Sequence, residues 1–398
     1  MFSPAILEDA QRYMFQLLTK VVEVGGSDLF ISADFPPSIK HQGLMKPFGQ
    51  QTLTAEKTKL FAYSLMNEKQ RNEFETELEC NFAITVPGIS RFRVNVFQQQ
   101  LNIGMVIRTI TAEIPNFQKL KLPESLKHVI MEKRGLVLVV GGTGSGKSTS
   151  LAAMIDYRNE NSAGHIITVE DPVEYVHKHK KSMITHREVG VDSHSWQNAL
   201  KNTLRQAPDV ILIGEIRDTE TMEHAITFAE TGHLCLGTLH SNNANQTLDR
   251  IINFFPEERR NQLLMDLSSN MKAIISQRLV RTQDGKGRRA AIEIMLNTPL
   301  ISDLILKGEF HELKAIMAKS RELGMQTFDQ ALFELYNQGE ISYEEALRNA
   351  DSTNELRLQI KLKSNRQDNA PAGQATQFSM ITEPKTTDKD AEDQSETE

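Results

Sequence analysis

Cysteine is scarce in this chain of 398 residues, and its scarcity excludes two kinds of architecture. The two cysteines, Cys80 and Cys235, lie far apart in the sequence, so a disulfide framework is not expected and a four-cysteine zinc site is excluded. We expect both to be small buried apolar residues. Long apolar runs are also missing: none approaches the roughly 18 residues of a membrane span, and the first residues do not resemble a signal peptide. We therefore expect a cytoplasmic protein.

Aromatic residues and excess charge are also in short supply. The chain has one tryptophan and six tyrosines, and its formal net charge is −7. Most of that charge lies in residues 365–398, where eight acids face three bases. The remainder is nearly neutral, which argues against a motor that works on nucleic acid. The tail is too polar to bury a core, and it is predicted to be disordered.

What the chain does have is a glycine-rich turn, GGTGSGKST, at 141–149. Its spacing fits the P-loop pattern, in which backbone N–H groups hold phosphates, Lys147 reaches the β and γ phosphates, and the Ser148 hydroxyl ligates magnesium. A β-branched run precedes it and a helical pattern follows it, as a P-loop requires. The sequence therefore predicts an ATP site. Its residues are Gly141, Gly142, Thr143, Gly144, Ser145, Gly146, Lys147, Ser148 and Thr149.

The distribution of apolar runs predicts several units. Residues 1–112 are expected to form an α+β domain with a helix at 6–24 and a half-buried antiparallel sheet, in which Phe92, Val94 and Val96 face the core. Residues 113–126 are expected to be a linker, 127–297 the ATPase core, 298–364 a helical subdomain and 365–398 the tail.

Within 127–297, apolar runs alternate with helical segments, which predicts a parallel sheet covered on both faces. The strands expected are LVLVV, HIITVE, DVILIGE, HLCLGTLH and AAIEIML. The P-loop, Glu170-Asp171, Glu215 and His240 all follow such strands. Ligands of open α/β sheets bind at that edge, so these groups are expected to meet.

The polar groups at this edge suggest the chemistry of ATP hydrolysis. Glu215 ends an apolar strand, as does the acid that holds magnesium beside a P-loop. A carboxylate must also orient the attacking water, for which Glu170, Asp171 and Glu174 are all candidates. His240 is either structural or a sensor of the γ-phosphate.

Two further sets of basic residues have no role fixed by the sequence pattern alone. Arg91 and Arg93 share one face of a strand, where they either cover a wet surface or act as arginine fingers in trans. His177 and His179, in HKHKKS, are expected in a solvated basic turn.

Five segments together resemble the hexameric secretion ATPases, and within them the type IV pilus retraction ATPases of the PilT/PilU family. These segments are GGTGSGKSTSLAAMIDY, HIITVEDPVEYVH, REVGVDSHSW, LGMQTFDQAL and the long run from APDVILIGEIRD to RIINFFP. The four family signatures match 141–149 (Walker A), 170–174 (aspartate box), 209–215 (Walker B) and 232–240 (histidine box). The resemblance implies a PAS-like N-terminal domain followed by a RecA-like P-loop ATPase domain with a C-terminal helical bundle.

The resemblance also implies residue roles. Glu174 would be the catalytic carboxylate, and Glu215 with Ser148 the magnesium ligands. His233 and His240 would couple nucleotide state to subunit position. Arg91, Arg93 and Arg108 would supply arginine fingers across a subunit boundary.

Two departures place the chain within this family. It lacks the four-cysteine module of assembly and type II secretion ATPases, and TPLISDLILKGEFHELK at 298–314 is more similar to PilU than to PilT. The expected protein is a homohexameric, magnesium-dependent ATPase that drives pilus retraction and twitching motility, alone or beside a PilT-type ATPase, on an inner-membrane platform protein. The alternatives are a nucleotide-switched adaptor with little turnover, or a pilus assembly ATPase.

Overall fold

The computed structural model describes residues 2–41, 44–110, 113–364 and 366. The predicted disordered tail at 365–398 lies outside the described residues, apart from Arg366. Two sheets and a group of C-terminal helices account for the described chain, so the predicted α/β fold class is confirmed.

The N-terminal part is built on a six-stranded antiparallel sheet in the order β3-β2-β1-β6-β5-β4. Its elements are α1 (Pro4–Glu23), β1 (Asp28–Ile31), β2 (Ser38–His41), β3 (Leu44–Pro47), α2 (Ala55–Leu65), α3 (Glu68–Glu77), β4 (Glu79–Val86), β5 (Ser90–Gln99) and β6 (Asn102–Ile110). Phe92, Val94 and Val96 of β5 are fully buried, as their alternation predicts. Arg91 and Arg93 consequently lie on the opposite face of the sheet.

The central part contains a seven-stranded sheet in the order β13-β12-β7-β11-β10-β8-β9. Its first half comprises α4 (Phe117–Leu120), α5 (Ser125–Ile130), β7 (Gly135–Val140), α6 (Lys147–Asn161), β8 (Gly164–Glu170), β9 (Ser182–Glu188) and α7 (Trp196–Thr203). Its second half comprises β10 (Val210–Ile213), α8 (Thr219–Glu230), β11 (Leu234–Leu239), α9 (Ala244–Ile252), α10 (Arg260–Asn270), β12 (Met271–Arg281) and β13 (Arg288–Leu296).

Both faces of this sheet are buried, which explains its continuous apolar strands. All six residues of β7 are buried. Leu136 and Leu138 pack toward α7, α8 and α9, whereas Val137 and Val139 pack toward α5 and α6. The period-two geometry of a strand thus supplies two cores at once.

Two features of this sheet differ from expectation. The strands β9 and β12 were not predicted, since polar residues interrupt both. AAIEIML forms a strand as predicted, but β13 runs antiparallel to β12 because only residues 282–287 join them. A connection that short permits a hairpin and not a parallel crossover.

The stretch expected as a linker, 113–126, contains α4 and the start of α5, and Leu126 is fully buried against the sheet.

Among the described residues, the predicted helical subdomain at 298–364 contains five α-helices. They are α11 (Pro299–Lys307), α12 (Leu313–Lys319), α13 (Phe328–Asn337), α14 (Tyr343–Arg348) and α15 (Thr353–Lys363). Gly308 ends α11 with a φ of 73°, a conformation that favours glycine. No helix among the described residues is long and apolar enough to cross a membrane.

Candidate active site

Segments far apart in the sequence line one cleft of about 630 Å³ at the carboxyl edge of the parallel strands. The cleft is lined by the P-loop from 143 to 149, by Glu170, Asp171 and Glu174 after β8, by Glu215 after β10, and by His240 after β11. The structure thus brings together the groups expected at this edge. Leu279 of β12 and Arg288 of β13, which the sequence analysis did not identify, also line the cleft.

The P-loop backbone adopts the conformation of an anion site. Gly144 and Gly146 have φ values of 74° and 88°, and a Cβ at Gly146 would lie 2.7 Å from the Gln277 amide nitrogen. Lys147 begins α6, and its Nζ donates to the carbonyls of Gly141 at 2.8 Å and Gly142 at 3.1 Å. Burial lowers the pKa of Lys147, and the nearby carboxylates of Glu215 and Glu174 oppose that shift. The ammonium group therefore lies over the loop, within reach of a bound phosphate chain.

Gln277 on β12 clamps the P-loop. Its side chain is buried, its Nε2 donates to the Ser145 carbonyl at 2.8 Å, and its Oε1 accepts from the Ser150 hydroxyl at 2.7 Å. One amide thus joins the loop to the first turn of α6. The signal in the sequence is the polar run Ser276-Gln277-Arg278 between the apolar residues of β12.

Glu215 is held on both carboxylate oxygens. His240 Nε2 lies 3.1 Å from one oxygen, and Arg217 Nε donates to the other at 2.8 Å. Arg217 also lies 3.7 Å from Asp171, so it joins the Walker B and aspartate-box segments. The sequence analysis missed Arg217, although it follows Glu215 by two residues.

The segment that carries Glu174 approaches the Walker B strand closely. A Cβ at Gly214 would lie 3.1 Å from the Glu170 Cα, so a larger residue would crowd the backbone where β8 and β10 end. Beyond Glu170, residues 171–180 form neither helix nor strand. Glu174 is exposed within this irregular stretch and lines the cleft.

The expectation of a solvated turn at HKHKKS is wrong for His177. This side chain is buried and stacks on His186 of β9, with ring centroids 5.7 Å apart and planes 14° apart. Burial lowers the pKa of His177 to about 3, and both His186 and Lys180 add to the shift. His179 is exposed, as predicted.

The arginines of the N-terminal sheet face carboxylates of their own chain. Arg91 lies 3.6 Å from Glu188, a buried carboxylate at the end of β9 whose pKa is raised by burial. Arg93 is partly buried, and one of its Nη atoms has no hydrogen-bond partner. Arg108 on β6 lies directly opposite Arg93 in the sheet, and its Nε donates to Asp28 at 2.7 Å. A role of these three residues in a neighbouring subunit stays a prediction.

The structure does not bring His233 to the cleft. This residue precedes β11, at the opposite edge of the sheet, where its carbonyl accepts from the Gly135 N–H at 3.0 Å. Its ring nitrogen Nδ1 lies 3.0 Å from the Thr231 hydroxyl. A nucleotide contact of His233 would require a second subunit, so that role also stays a prediction.

The donors in the cleft fit a magnesium ion that accompanies a nucleotide. Ser148 and Glu215 both line the cleft, and Mg²⁺ prefers hard oxygen ligands that include substrate phosphates and water. The glycine-rich turn, its lysine, the strand-terminal glutamates and the adjoining histidine define a P-loop ATPase.

Comparison with known proteins identifies the family. The chain belongs to the family described as Type II/IV secretion system protein, which matches residues 11–348. It is 61% identical over 349 residues to the type IV pilus ATPase PilU of Pseudomonas aeruginosa, covering 88% of this chain and 91% of that one. It is 43% identical over 335 residues to the retraction ATPase PilT of the same organism, covering 84% and 97%. The predicted family is therefore confirmed.

A solved structure supports the same assignment. The crystal structure of the pilus retraction motor PilT with bound ADP matches with a TM-score of 0.80 and 41% identity, covering 87% of this chain and 99% of that one. The predicted order of an N-terminal domain and an ATPase domain agrees with this match. The chain is an ATP-hydrolysing enzyme that binds nucleotide.

Proposed function

We propose that this chain hydrolyses ATP in the cleft described above to drive type IV pilus retraction. The observation that carries the proposal is the convergence of Lys147, Glu174 and Glu215 on one cleft at the carboxyl ends of the strands. Its relatives include the PilU and PilT ATPases of Pseudomonas aeruginosa and a twitching motility protein of Neisseria gonorrhoeae, to which it is 42% identical over 320 residues.

The residues of the cleft divide the work of hydrolysis. Lys147 exchanges its loop carbonyls for phosphate oxygens and offsets the charge that develops in the transition state. Glu174 orients the attacking water and accepts its proton. Ser148 and Glu215 would hold magnesium, which neutralises phosphate charge when bound. His240 and Arg217 keep the Glu215 carboxylate in place, and His240 is suited to sense the γ-phosphate.

The working assembly is proposed to be a homohexamer in the cytoplasm, at the inner membrane. It would act on a pilus platform protein and beside a PilT-type ATPase. In such a ring Arg91, Arg93 and Arg108 would act on the nucleotide of a neighbour, with His233 near the same boundary. Force would arise because a γ-phosphate holds two rigid bodies together until it is cleaved.

Phosphate release by the purified protein at several protein concentrations tests this function. We expect a rate per subunit that rises with concentration, and that falls to background in Lys147→Ala and Glu174→Gln. Nucleotide binding without turnover at any concentration would refute the motor and favour the adaptor. Full activity in Glu174→Gln would shift the water-orienting role to Glu170.

A mixing experiment tests the arginine fingers. Arg91→Ala has an intact P-loop and Lys147→Ala has intact arginines, so a mixed ring would complete some sites if Arg91 acts in trans. We expect the mixture to regain part of the activity that each variant lacks. If the rings exchange subunits and the mixture is no more active than the separate variants, action in trans is contradicted.

Complementation of twitching in a strain without its own retraction ATPase tests the pilus function itself.

A further inference from the structure

Glu174 lies in a stretch whose backbone belongs to no helix or strand, so contacts from neighbouring residues must fix its position relative to the phosphates. We propose that Tyr175 is a positioning residue for catalysis, which holds the water-orienting Glu174 against the P-loop helix through a hydrogen bond to Thr149. This inference rests on the proposed function, because it assigns Glu174 the role of orienting water.

Tyr175 is hydrogen-bonded to the P-loop helix. The Tyr175 hydroxyl lies 2.9 Å from Thr149 Oγ1, and both side chains are partly buried. Thr149 is the third residue of α6, two residues after Lys147. The bond therefore joins the aspartate-box segment to the turn of α6 that carries the phosphate-binding lysine.

Two other hydrogen bonds hold the segment on either side of Glu174. On the amino-terminal side, the Val173 N–H points to Glu188 Oε2 at 3.4 Å. On the carboxyl-terminal side, the His177 N–H donates to His186 Nε2 at 3.0 Å. These bonds fix the segment to β9, and neither reaches the P-loop.

Helix α6 also contacts the segment at a second place. Among the hydrogen bonds of the described residues, the others that join segment 171–181 to α6 lie at its far end. Asn159 donates to the Lys178 carbonyl, and Lys180 pairs with Asp156 and Glu160. Tyr175 alone of these joins the segment to the first turn of α6, where the chemistry takes place.

The expected effect is on the chemical step. Loss of the hydroxyl leaves the nucleotide contacts of the P-loop in place but lets Glu174 drift from the line of attack. Displacing a catalytic group by about 1 Å lowers the rate on the order of a hundredfold. A carboxylate that is only sometimes displaced lowers the rate less. We expect Tyr175→Phe to lower kcat about tenfold, with KM for ATP within about twofold of wild type.

The test compares kcat and KM for ATP in wild type, Tyr175→Phe and Tyr63→Phe. Tyr63 is the matched control, since its hydroxyl also makes a 2.9 Å hydrogen bond, to Glu75 in the N-terminal part. A fall in kcat at constant KM in Tyr175→Phe alone supports the inference. A kcat within twofold of wild type, or equal losses in both variants, would overturn it.

Nucleotide binding separates positioning from a merely structural role. If Tyr175 acts through Glu174, then Tyr175→Phe binds a fluorescent ATP analogue with a Kd within about twofold of wild type while its kcat falls. A Kd that weakens in proportion to the loss of kcat would overturn the inference. Inactive wild type would instead count against the proposed function, whereas active wild type with an unaffected Tyr175→Phe counts only against this inference.

Discussion

Glu293 has a buried carboxyl group on β13, and its titration should be visible in the stability of the protein. Its Oε1 accepts from the Ala244 N–H at 2.8 Å and from the Ser276 hydroxyl at 3.0 Å. Burial raises the pKa of Glu293 to about 7, although both hydrogen bonds oppose the rise; Asp351 adds to it and Lys314 opposes it. The carboxyl group therefore favours its neutral form in the folded protein.

The sign of the pH dependence follows from this rise. Between pH values of about 4.5 and 7 the folded state holds a proton at Glu293 that the unfolded state has lost, so the free energy of unfolding falls as the pH increases. A difference of about 2.5 pKa units amounts to about 3 kcal/mol over the whole window. About 2 kcal/mol of this falls between about pH 5.5 and 7.5.

The variant Glu293→Gln tests this result, because glutamine keeps an acceptor for the Ala244 N–H and cannot ionise. We expect thermal unfolding at about pH 5.5 and 7.5 to show this effect. The Tm of Glu293→Gln relative to that of wild type should be a few °C higher at the higher pH. The exposed Glu322 supplies a control, and Glu322→Gln should run parallel to wild type. A Tm difference between Glu293→Gln and wild type that stays constant with pH would refute the buried titration.

Three further changes test the site and its support. Gln277→Leu removes the hydrogen bonds to Ser145 and Ser150 and should weaken binding of a fluorescent ATP analogue about tenfold or more, whereas an unchanged Kd would contradict the clamp. Arg217→Gln frees one oxygen of Glu215 and should lower kcat more than it alters Kd; a change in Kd alone would count against that role. His177→Phe should reduce the loss of stability as pH falls from about 6.5 toward 3, because a histidine with a lowered pKa resists protonation in the fold. Parallel Tm curves for His177→Phe and wild type would argue against this.

The site could be predicted from the sequence because its parts carry local signals. The P-loop has a fixed spacing, and Glu215 and His240 each follow an apolar strand. The carboxyl ends of parallel strands meet at one edge of the sheet, so these groups could be placed together without knowledge of the strand order.

The residues that support the site gave weaker signals. Gln277 lies on β12 and His186 on β9, two strands that polar residues hid from the periodicity. Without β9, the burial of His177 could not be foreseen, since its partner His186 is nine residues away. The direction of β13 depends on the short turn at 282–287, whereas the alternation of strands and helices elsewhere in the sheet favours parallel strands.

The contact between the N-terminal sheet and the central sheet lies beside the catalytic segment. Glu188 faces Arg91 of the N-terminal sheet and also lies within 3.4 Å of the Val173 N–H, one residue before Glu174. A buried carboxylate that loses one partner must find another or become protonated, because an unpaired charge is costly in that environment. Any motion of the N-terminal sheet that separates Arg91 from Glu188 therefore changes the hold on the segment that carries Glu174. Glu188 is therefore the side chain through which a movement of the N-terminal sheet would reach the segment that carries Glu174.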